Sequence, residues 1–173
     1  MAAAPRRRGW WIGPATAFAV IALVLAGGDP GRGGLGSGHR VLSGRVLEVT
    51  DGDTVVVRLD DGSVEDVRYI GINTPESTPN QPLECFGHEA AERNRELVAG
   101  RRVRMEIGPE PRDDYGRLLA WVHAGGVFVN ASLVRDGYAR TLTIAPNDAR
   151  APLFGRLEAA AGRGALGLWG ACQ

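Results

Sequence analysis

The chain has 173 residues, which is enough for one domain of ordinary size with a single hydrophobic core and too little for a second folded domain behind a leader. It carries 20 basic and 20 acidic residues, and every basic residue is Arg. From Val41 onward the chain has 15 basic and 19 acidic residues. This balance argues against a module that binds nucleic acid by charge alone, because such modules carry a basic surface.

The N-terminus has the composition of an export signal. Three consecutive Arg at 6–8 precede a largely apolar run over residues 10–26. The run is slightly shorter than the ~20 residues of a comfortable transmembrane helix. Residues 1–26 therefore predict either a cleaved signal peptide or an uncleaved membrane anchor, with the protein secreted or held at the surface of a bacterial cell. Residues 27–40 are rich in Gly and predict a linker.

The folded domain is expected over residues 41–173 and begins with three strands. Residues 41–49 alternate imperfectly between apolar and polar side chains, and residues 54–59 are rich in β-branched side chains. Asp60-Asp61-Gly62 is a hairpin signal, after which residues 64–72 predict a third strand. These segments predict an antiparallel meander.

The second half of the domain mixes helices with strands. Residues 86–98, 129–135 and 148–161 predict helices, the last with Leu153, Leu157 and Ala160 on one face, and residues 102–107 and 118–124 predict strands. Five short strands with helices among and after them favour a closed or partly closed barrel over an alternating parallel sheet. The expected class is mixed α+β, mainly β.

Three separated motifs carry side chains suited to phosphodiester chemistry. They offer hard oxygen ligands for Ca²⁺, a free carboxylate and two guanidinium groups. The motifs are Asp51-Gly52-Asp53-Thr54, the stretch from Arg68 to Asn73-Thr74-Pro75-Glu76, and Tyr115-Gly116-Arg117. Together with Leu133-Val134-Arg135-Asp136-Gly137, they resemble the staphylococcal nuclease (thermonuclease) family over roughly residues 42–169. The resemblance implies a five-stranded oligonucleotide-binding (OB) barrel with three helices.

The resemblance also implies a metal site at Asp53, Asn73 and Thr74, with Thr74 binding through its carbonyl. By its sequence context alone, Asp53 is more commonly a turn-forming Asp of a hairpin, and its match to the family's metal-ligating Asp is what favours the metal role. Asn73 stands where the best-known family member has an Asp, and its amide removes one negative charge from the site. Ca²⁺ is the expected cofactor, with weakened affinity, so another divalent ion could serve.

Arg68, Glu76 and Arg117 are the expected catalytic residues by the same resemblance. The planar guanidiniums would bind phosphate oxygens, with Arg117 beside the departing oxygen, and Glu76 would orient or deprotonate the attacking water. A metal cation and the two Arg are expected to keep Glu76 ionised at neutral pH. The alternatives are surface ion pairs for the arginines and a solvated turn residue for Glu76. The two tyrosines that hold a nucleotide in the best-known member are not evident around residues 142–146.

Cys85 and Cys172 are the only cysteines, and both follow the predicted export signal. In an oxidising compartment they predict a disulfide between the start of the first helix and the C-terminal end. The alternative is two unrelated small hydrophobic residues. Asn130 begins a formal glycosylation sequon but is expected to cap a helix.

The combined interpretation is an exported, divalent-metal-dependent endonuclease. It would hydrolyse DNA and RNA, including single-stranded DNA, and leave 3′-phosphate ends. A monomer is expected, with membrane contact only through an uncleaved N-terminal segment. The main alternative is a catalytically inactive OB-fold module that binds nucleic acid or protein, although inactive family members have typically lost the Arg and Glu set. An unrelated metal-binding surface domain is a third possibility.

Overall fold

The computed structural model describes residues 40–77 and 82–172, which belong to one compact unit, Ser37–Gln173. The predicted signal peptide or anchor and nearly all of the linker lie outside these residues. Within the described ranges, no helix is long and apolar enough to cross a membrane.

Eight strands and four helices make up the described domain. The strands are β1 (Val41–Asp51), β2 (Thr54–Leu59), β3 (Val64–Tyr69), β4 (Ile72–Asn73), β5 (Arg102–Arg112), β6 (Leu118–Ala124), β7 (Val127–Phe128) and β8 (Arg140–Thr141). The helices are α1 (Gly87–Val98), α2 (Val129–Arg135), α3 (Ala151–Arg163) and α4 (Leu168–Ala171).

Five of the strands form a closed barrel. They run in the order β3-β2-β1-β5-β6 with antiparallel neighbours, and β7 extends the sheet beyond β6. A parallel pairing of β3 with β6 joins the two ends, with Arg68 opposite Leu119. Closure satisfies the backbone groups that an open edge would expose. The barrel confirms the expected OB fold.

The barrel interior and the helix-facing surface form one hydrophobic core. On β2 the alternating side chains of Val55, Val57 and Leu59 are buried, as a strand with one inward face requires. Trp121 and Tyr69 are the largest fully buried side chains. The helices pack around this core, which fixes the strand ends that carry the predicted site.

Two strands differ in extent from the predictions. The third strand stops at Tyr69 because the chain turns at Gly71, whose φ is 81° and whose Cα lies against the ring of Phe154. The chain then resumes as β4, which pairs with β8. The fourth predicted strand continues past Ile107 through a register shift that local alternation does not reveal.

The last part of the chain also departs from prediction in detail. Helix α3 begins three residues later than expected and buries Phe154 and Ala161, whereas Ala160 is exposed. Leu153 and Leu157 pack partly buried against the core, as expected. Helix α4 was not predicted, since four residues are too few for a periodic signal.

The prediction that Asn130 caps a helix is wrong. Residue Phe128 holds the cap position of α2, and Asn130 lies in its first turn, fully buried. Its Oδ1 accepts a hydrogen bond from Val122 N at 2.9 Å, and its Nδ2 donates to Ile70 O at 2.9 Å. The side chain therefore ties α2 to β6 and to the turn after β3.

A disulfide joins Cys85 to Cys172 across a separation of 87 residues, with the Cα atoms 5.8 Å apart. The predicted pairing is present and holds the end of α4 against the start of α1. In the chain-entropy account, closing a loop of this length stabilises the fold by roughly 4 to 5 kcal/mol.

Candidate active site

The turn between β1 and β2 packs directly against the segment that follows β4. Gly52 has no space for a side chain, because a Cβ there would lie 2.7 Å from Thr74 Oγ1. This close approach brings the first predicted motif onto the second. Gly52 and Thr74 are 22 residues apart in the chain, and the fold of the barrel places them together.

Asp53 lies at the centre of this contact and is only 4% exposed. Its Oδ2 accepts a hydrogen bond from Thr74 N at 2.8 Å and lies 2.8 Å from Arg68 Nη1, while Thr54 Oγ1 donates to Oδ1 at 3.1 Å. Burial raises the pKa of Asp53, and the Arg68 charge and the Thr74 N–H oppose that rise. The carboxylate is held in one orientation by partners from three segments.

Arg68 bridges two of the three predicted metal ligands. While Nη1 contacts Asp53, Nη2 donates to Asn73 Oδ1 at 2.7 Å. The Asn73 Nδ2 in turn donates to the Thr74 carbonyl at 3.4 Å, and Thr74 Oγ1 is buried without a hydrogen-bond partner among the described residues. The three predicted ligand residues are therefore neighbours, and a cationic group already contacts the side-chain oxygens of two of them.

Glu76 has acidic neighbours. Burial, followed by the charge of Asp51, raises the pKa of the Glu76 carboxyl, and Asp53 and Glu84 add to the rise. Asp51 is itself buried, and its Oδ1 accepts hydrogen bonds from Gly52 N at 2.8 Å and Ser77 Oγ at 2.6 Å. The structure thus differs from the expectation that arginines help to keep Glu76 ionised.

Acidic side chains outnumber basic ones in the cluster around Asp53. Asp51, Asp53 and Glu76 would carry three negative charges when ionised, and Arg68 is the cation in contact with Asp53. Carboxylate, amide and carbonyl oxygens are the donors that hard cations such as Ca²⁺ take. Among the described residues, no group of three or more His, Cys, Asp or Glu could hold a metal ion. The predicted metal ligands do not form such a group, because Asn73 and Thr74 would bind through an amide oxygen and a backbone carbonyl, and only Asp53 is an acid.

Arg117 reaches the site from the turn before β6. Asp113 orients it, accepting hydrogen bonds from Arg117 N at 2.9 Å and from Nε at 2.7 Å. The guanidinium carbon lies 5.4 Å from the centre of the Tyr115 ring. Within residues 40–77 and 82–172, neither Nη group has a hydrogen-bond partner, so both are available to a ligand.

Both arginines line one cavity of about 370 Å³. The pairing of Arg68 with Leu119 on β6, two residues after Arg117, explains why the two side chains share it. Tyr115, 85% exposed, and the exposed apolar side chains of Leu142 and Ile144 line the same cavity. Neither Glu76 nor Asp53 is among the lining residues, so Arg68 is the predicted site residue that both contacts Asp53 and lines the cavity.

Sequence reasoning missed two acids that shape this site. Asp113 stands four residues before Arg117 in a tight turn, a spacing that could have indicated an ion pair. Glu84 accepts a hydrogen bond from Glu76 N at 3.2 Å, and nothing in its sequence context indicates that contact.

Residues 66–171 match the protein family described as Staphylococcal nuclease homologue. The chain belongs to the staphylococcal nuclease family. The matched span holds both arginines, Asn73, Thr74 and Glu76, whereas Asp53 lies before it.

Named relatives agree with this membership. The thermonuclease of Staphylococcus intermedius is 38% identical over 125 residues, which cover 72% of this chain and 74% of that protein. Endonuclease YncB of Bacillus subtilis (strain 168) is 34% identical over 142 residues, covering 78% of this chain and 67% of the relative. The SPbeta prophage-derived endonuclease YokF of the same strain is 38% identical over 122 residues, but the match covers only 41% of that protein.

Proposed function

We propose that this staphylococcal nuclease family member is an exported, divalent-metal-dependent endonuclease. It hydrolyses phosphodiester bonds of DNA and RNA and leaves 3′-phosphate ends. The observation that carries the proposal is the position of Arg68, which contacts Asp53 and Asn73 on one side and lines a cavity with Arg117 on the other. Relatives named thermonuclease and endonuclease support the same activity.

The metal would be held by the Asp53 carboxylate, the Asn73 amide oxygen and the Thr74 carbonyl. When bound, a divalent cation would neutralise charge on the phosphate and on the surrounding carboxylates. Ca²⁺ suits these oxygen donors. Because the Asn73 amide is neutral, the affinity for Ca²⁺ is lowered and other divalent ions can also serve. A second effect concerns Glu76, because a nearby cation opposes the acidic neighbours that raise its pKa.

Glu76 is the proposed general base. Its carboxylate orients the attacking water and accepts a proton as the water oxygen forms a bond to phosphorus. The bond from phosphorus to the 5′ oxygen breaks in line, and that oxygen leaves with a proton from solvent. The phosphate therefore remains on the 3′ side.

The two arginines are the proposed phosphate ligands. Their guanidinium forks donate hydrogen bonds to the non-bridging oxygens, whose charge grows in the transition state. Arg117 is fixed through Nε by Asp113 and keeps both Nη groups for the phosphate and the departing oxygen. Loss of one such donor costs about 3 kcal/mol of transition-state stabilisation.

The rim of the cavity favours single-stranded substrates with little base preference. Tyr115, Leu142 and Ile144 present exposed aromatic and aliphatic surface beside the arginines. Such surfaces stack or pack against the face of any base, which makes binding tolerant of sequence. Contacts of this kind are made to the faces of the bases and not to the sugar, so both DNA and RNA are proposed substrates.

Export is proposed from the N-terminal segment and supported by the disulfide. A bonded pair of cysteines is typical of proteins that work in oxidising compartments. The secreted or surface-anchored protein is proposed to act as a monomer.

A zymogram of the full-length chain with a series of divalent ions tests the proposal. We expect single-stranded DNA and RNA to be digested with Ca²⁺ and digestion to stop on chelation. Glu76→Gln should lower turnover at least a hundredfold with little change in stability, whereas the exposed Glu96→Gln on α1 should leave turnover unchanged. Full activity of Glu76→Gln contradicts its role as base. A wild-type chain that binds DNA but digests none with any ion supports the inactive-module alternative.

A further inference from the structure

Glu84 forms hydrogen bonds with both the backbone N–H and the backbone carbonyl of Glu76. Glu84 N donates a hydrogen bond to Glu76 O at 3.0 Å, and Glu76 N donates to Glu84 Oε2 at 3.2 Å. The two contacts hold the main chain of the proposed base on either side of its Cα. The position of Glu76 therefore depends on a residue that lies eight positions further along the chain.

Gly87, at the start of α1, contacts both Glu84 and Glu76. Gly87 N donates to Glu84 O at 3.0 Å, and the Cα of Gly87 lies so close to the Glu76 carbonyl that any side chain there would overlap it. Between them, Phe86 has a left-handed backbone with φ of 71°. A residue with a side chain keeps such a conformation only where its surroundings enforce it.

The disulfide supplies an anchor for this segment. Cys85 directly follows Glu84, and its partner Cys172 lies at the end of α4. Helix α4 is fixed to the body of the domain, since Leu168 is buried and its N–H donates to Gly137 O at 2.9 Å. The covalent bond thus joins the residue next to Glu84 to a helix that is packed on the core.

We propose that Glu84 is a positioning residue for Glu76 and that the Cys85–Cys172 disulfide maintains this position, so that the reduced protein is a slower nuclease than the oxidised one. The inference rests on the proposed role of Glu76. Cys85 is exposed and Cys172 is partly exposed, so a reductant can reach the bond. A dithiol reduces the disulfide to two thiols with two electrons and becomes a disulfide itself.

This arrangement would make activity follow the redox state of the compartment. Before export the two cysteines are reduced, Glu84 is held less firmly and the nuclease is slow. After export the bond forms and the base is fixed in place. The cell that makes the protein would thereby be protected from its activity.

The first test compares kcat and KM on single-stranded DNA for three states of the full-length chain: oxidised, reduced with dithiothreitol, and Cys85→Ser/Cys172→Ser. All are assayed with Ca²⁺ at a temperature where near-UV circular dichroism shows a folded protein. We expect kcat to fall about ten- to a hundredfold in the two states without the bond, with KM within about twofold, because misplacement of a catalytic group slows chemistry more than binding.

Val103→Ala controls for stability, because Val103 is buried on β5, where it pairs with Gly44 of β1, and takes no part in the site. Val103→Ala and the double Ser variant are each assayed at the same interval below their own thermal denaturation midpoint. An equal kcat in the reduced and oxidised proteins, or an equal fall in Val103→Ala, overturns the inference.

The second test separates Glu84 from general loss of stability. Glu84→Ala should lower kcat as reduction does, and Glu84→Gln should restore it, because the amide oxygen can still accept the hydrogen bond from Glu76 N. A Gln variant as slow as the Ala variant contradicts the positioning role. If the wild-type chain digests no nucleic acid with any ion, the proposed function fails, and if Glu76→Gln is fully active, the proposed role of Glu76 as base fails. If Glu76→Gln is inactive while reduction and Glu84→Ala leave kcat unchanged, only the positioning role of Glu84 and the disulfide fails.

Discussion

Replacement of Arg68 by Met separates the two roles that the structure gives this residue. Arg68 is the cationic partner of the buried Asp53, and it is also a proposed ligand of the substrate phosphate. Methionine keeps much of the side-chain volume and removes both the charge and the donors. The first role concerns stability without metal, and the second concerns catalysis.

The expected stability loss follows from the geometry of the pair. Arg68 Nη1 and Asp53 Oδ2 are 2.8 Å apart, with side chains 13% and 6% exposed. At an effective dielectric constant of about 20 their attraction is roughly 6 kcal/mol, and breaking such a buried pair costs about 3 to 5 kcal/mol. Asp53 keeps its hydrogen bonds from Thr74 and Thr54 and can take up a proton, since burial already raises its pKa. We therefore expect a loss of about 3 kcal/mol.

The assay is urea denaturation of wild type and Arg68→Met, with chelator and with Ca²⁺. A bound cation takes over the neutralisation of Asp53, and an ion at a hundred times its Kd contributes about 2.7 kcal/mol. Stability should recover with Ca²⁺, whereas turnover should stay about a hundred- to a thousandfold low because Met donates no hydrogen bond to phosphate. Arg102→Met is the matched control: Arg102 pairs with Asp60 where both side chains are more than half exposed, so its loss should cost under about 1 kcal/mol.

Two results would refute this reasoning. A loss below about 1 kcal/mol in chelator would show that Arg68 does not hold the Asp53 charge. Recovery of turnover together with stability would show that its contribution to activity comes only through the fold.

Three further predictions concern the metal site, the proposed base and the fold. Asn73→Asp should bind Ca²⁺ roughly tenfold more tightly by titration calorimetry, because a carboxylate adds negative charge to the donor set; unchanged affinity would remove Asn73 from that set. The folded pKa of Glu76 is raised, so in chelator Glu76→Gln should be more stable than wild type above that pKa, and the difference should shrink as pH falls below it and vanish near the ordinary pKa of a Glu carboxyl. Urea denaturation between about pH 4 and pH 8 measures it, and a pH-independent difference would contradict the assigned shift. Asn130→Ala should lose about 2 to 4 kcal/mol, because it leaves Val122 N and Ile70 O unpaired in the core; calorimetry showing under 1 kcal/mol would contradict that role.

Much of the fold could be read from local patterns. The strand 118–124 and the helix 129–135 have the predicted limits, because alternation and helical spacing are properties of neighbouring residues. The break at Gly71 was missed, since it follows from the packing of Phe154 some 80 residues later. Asn130 was misplaced for the same reason: one of its hydrogen-bond partners, Ile70 O, belongs to a residue 60 positions earlier in the chain.

In the candidate site, too, some features follow from the local sequence and others from contacts between distant residues. The order of residues along the chain was enough to identify the family and to name its functional groups: two arginines, a Glu, a turn Asp and the oxygen donors of Asn73 and Thr74. The folded domain was needed to learn that Arg68 bridges Asp53 and Asn73, that Asp113 orients Arg117 and that Glu76 lies among acids. Charge, burial and hydrogen bonding act over a few ångströms in space, and barrel closure sets those distances between residues far apart in the chain.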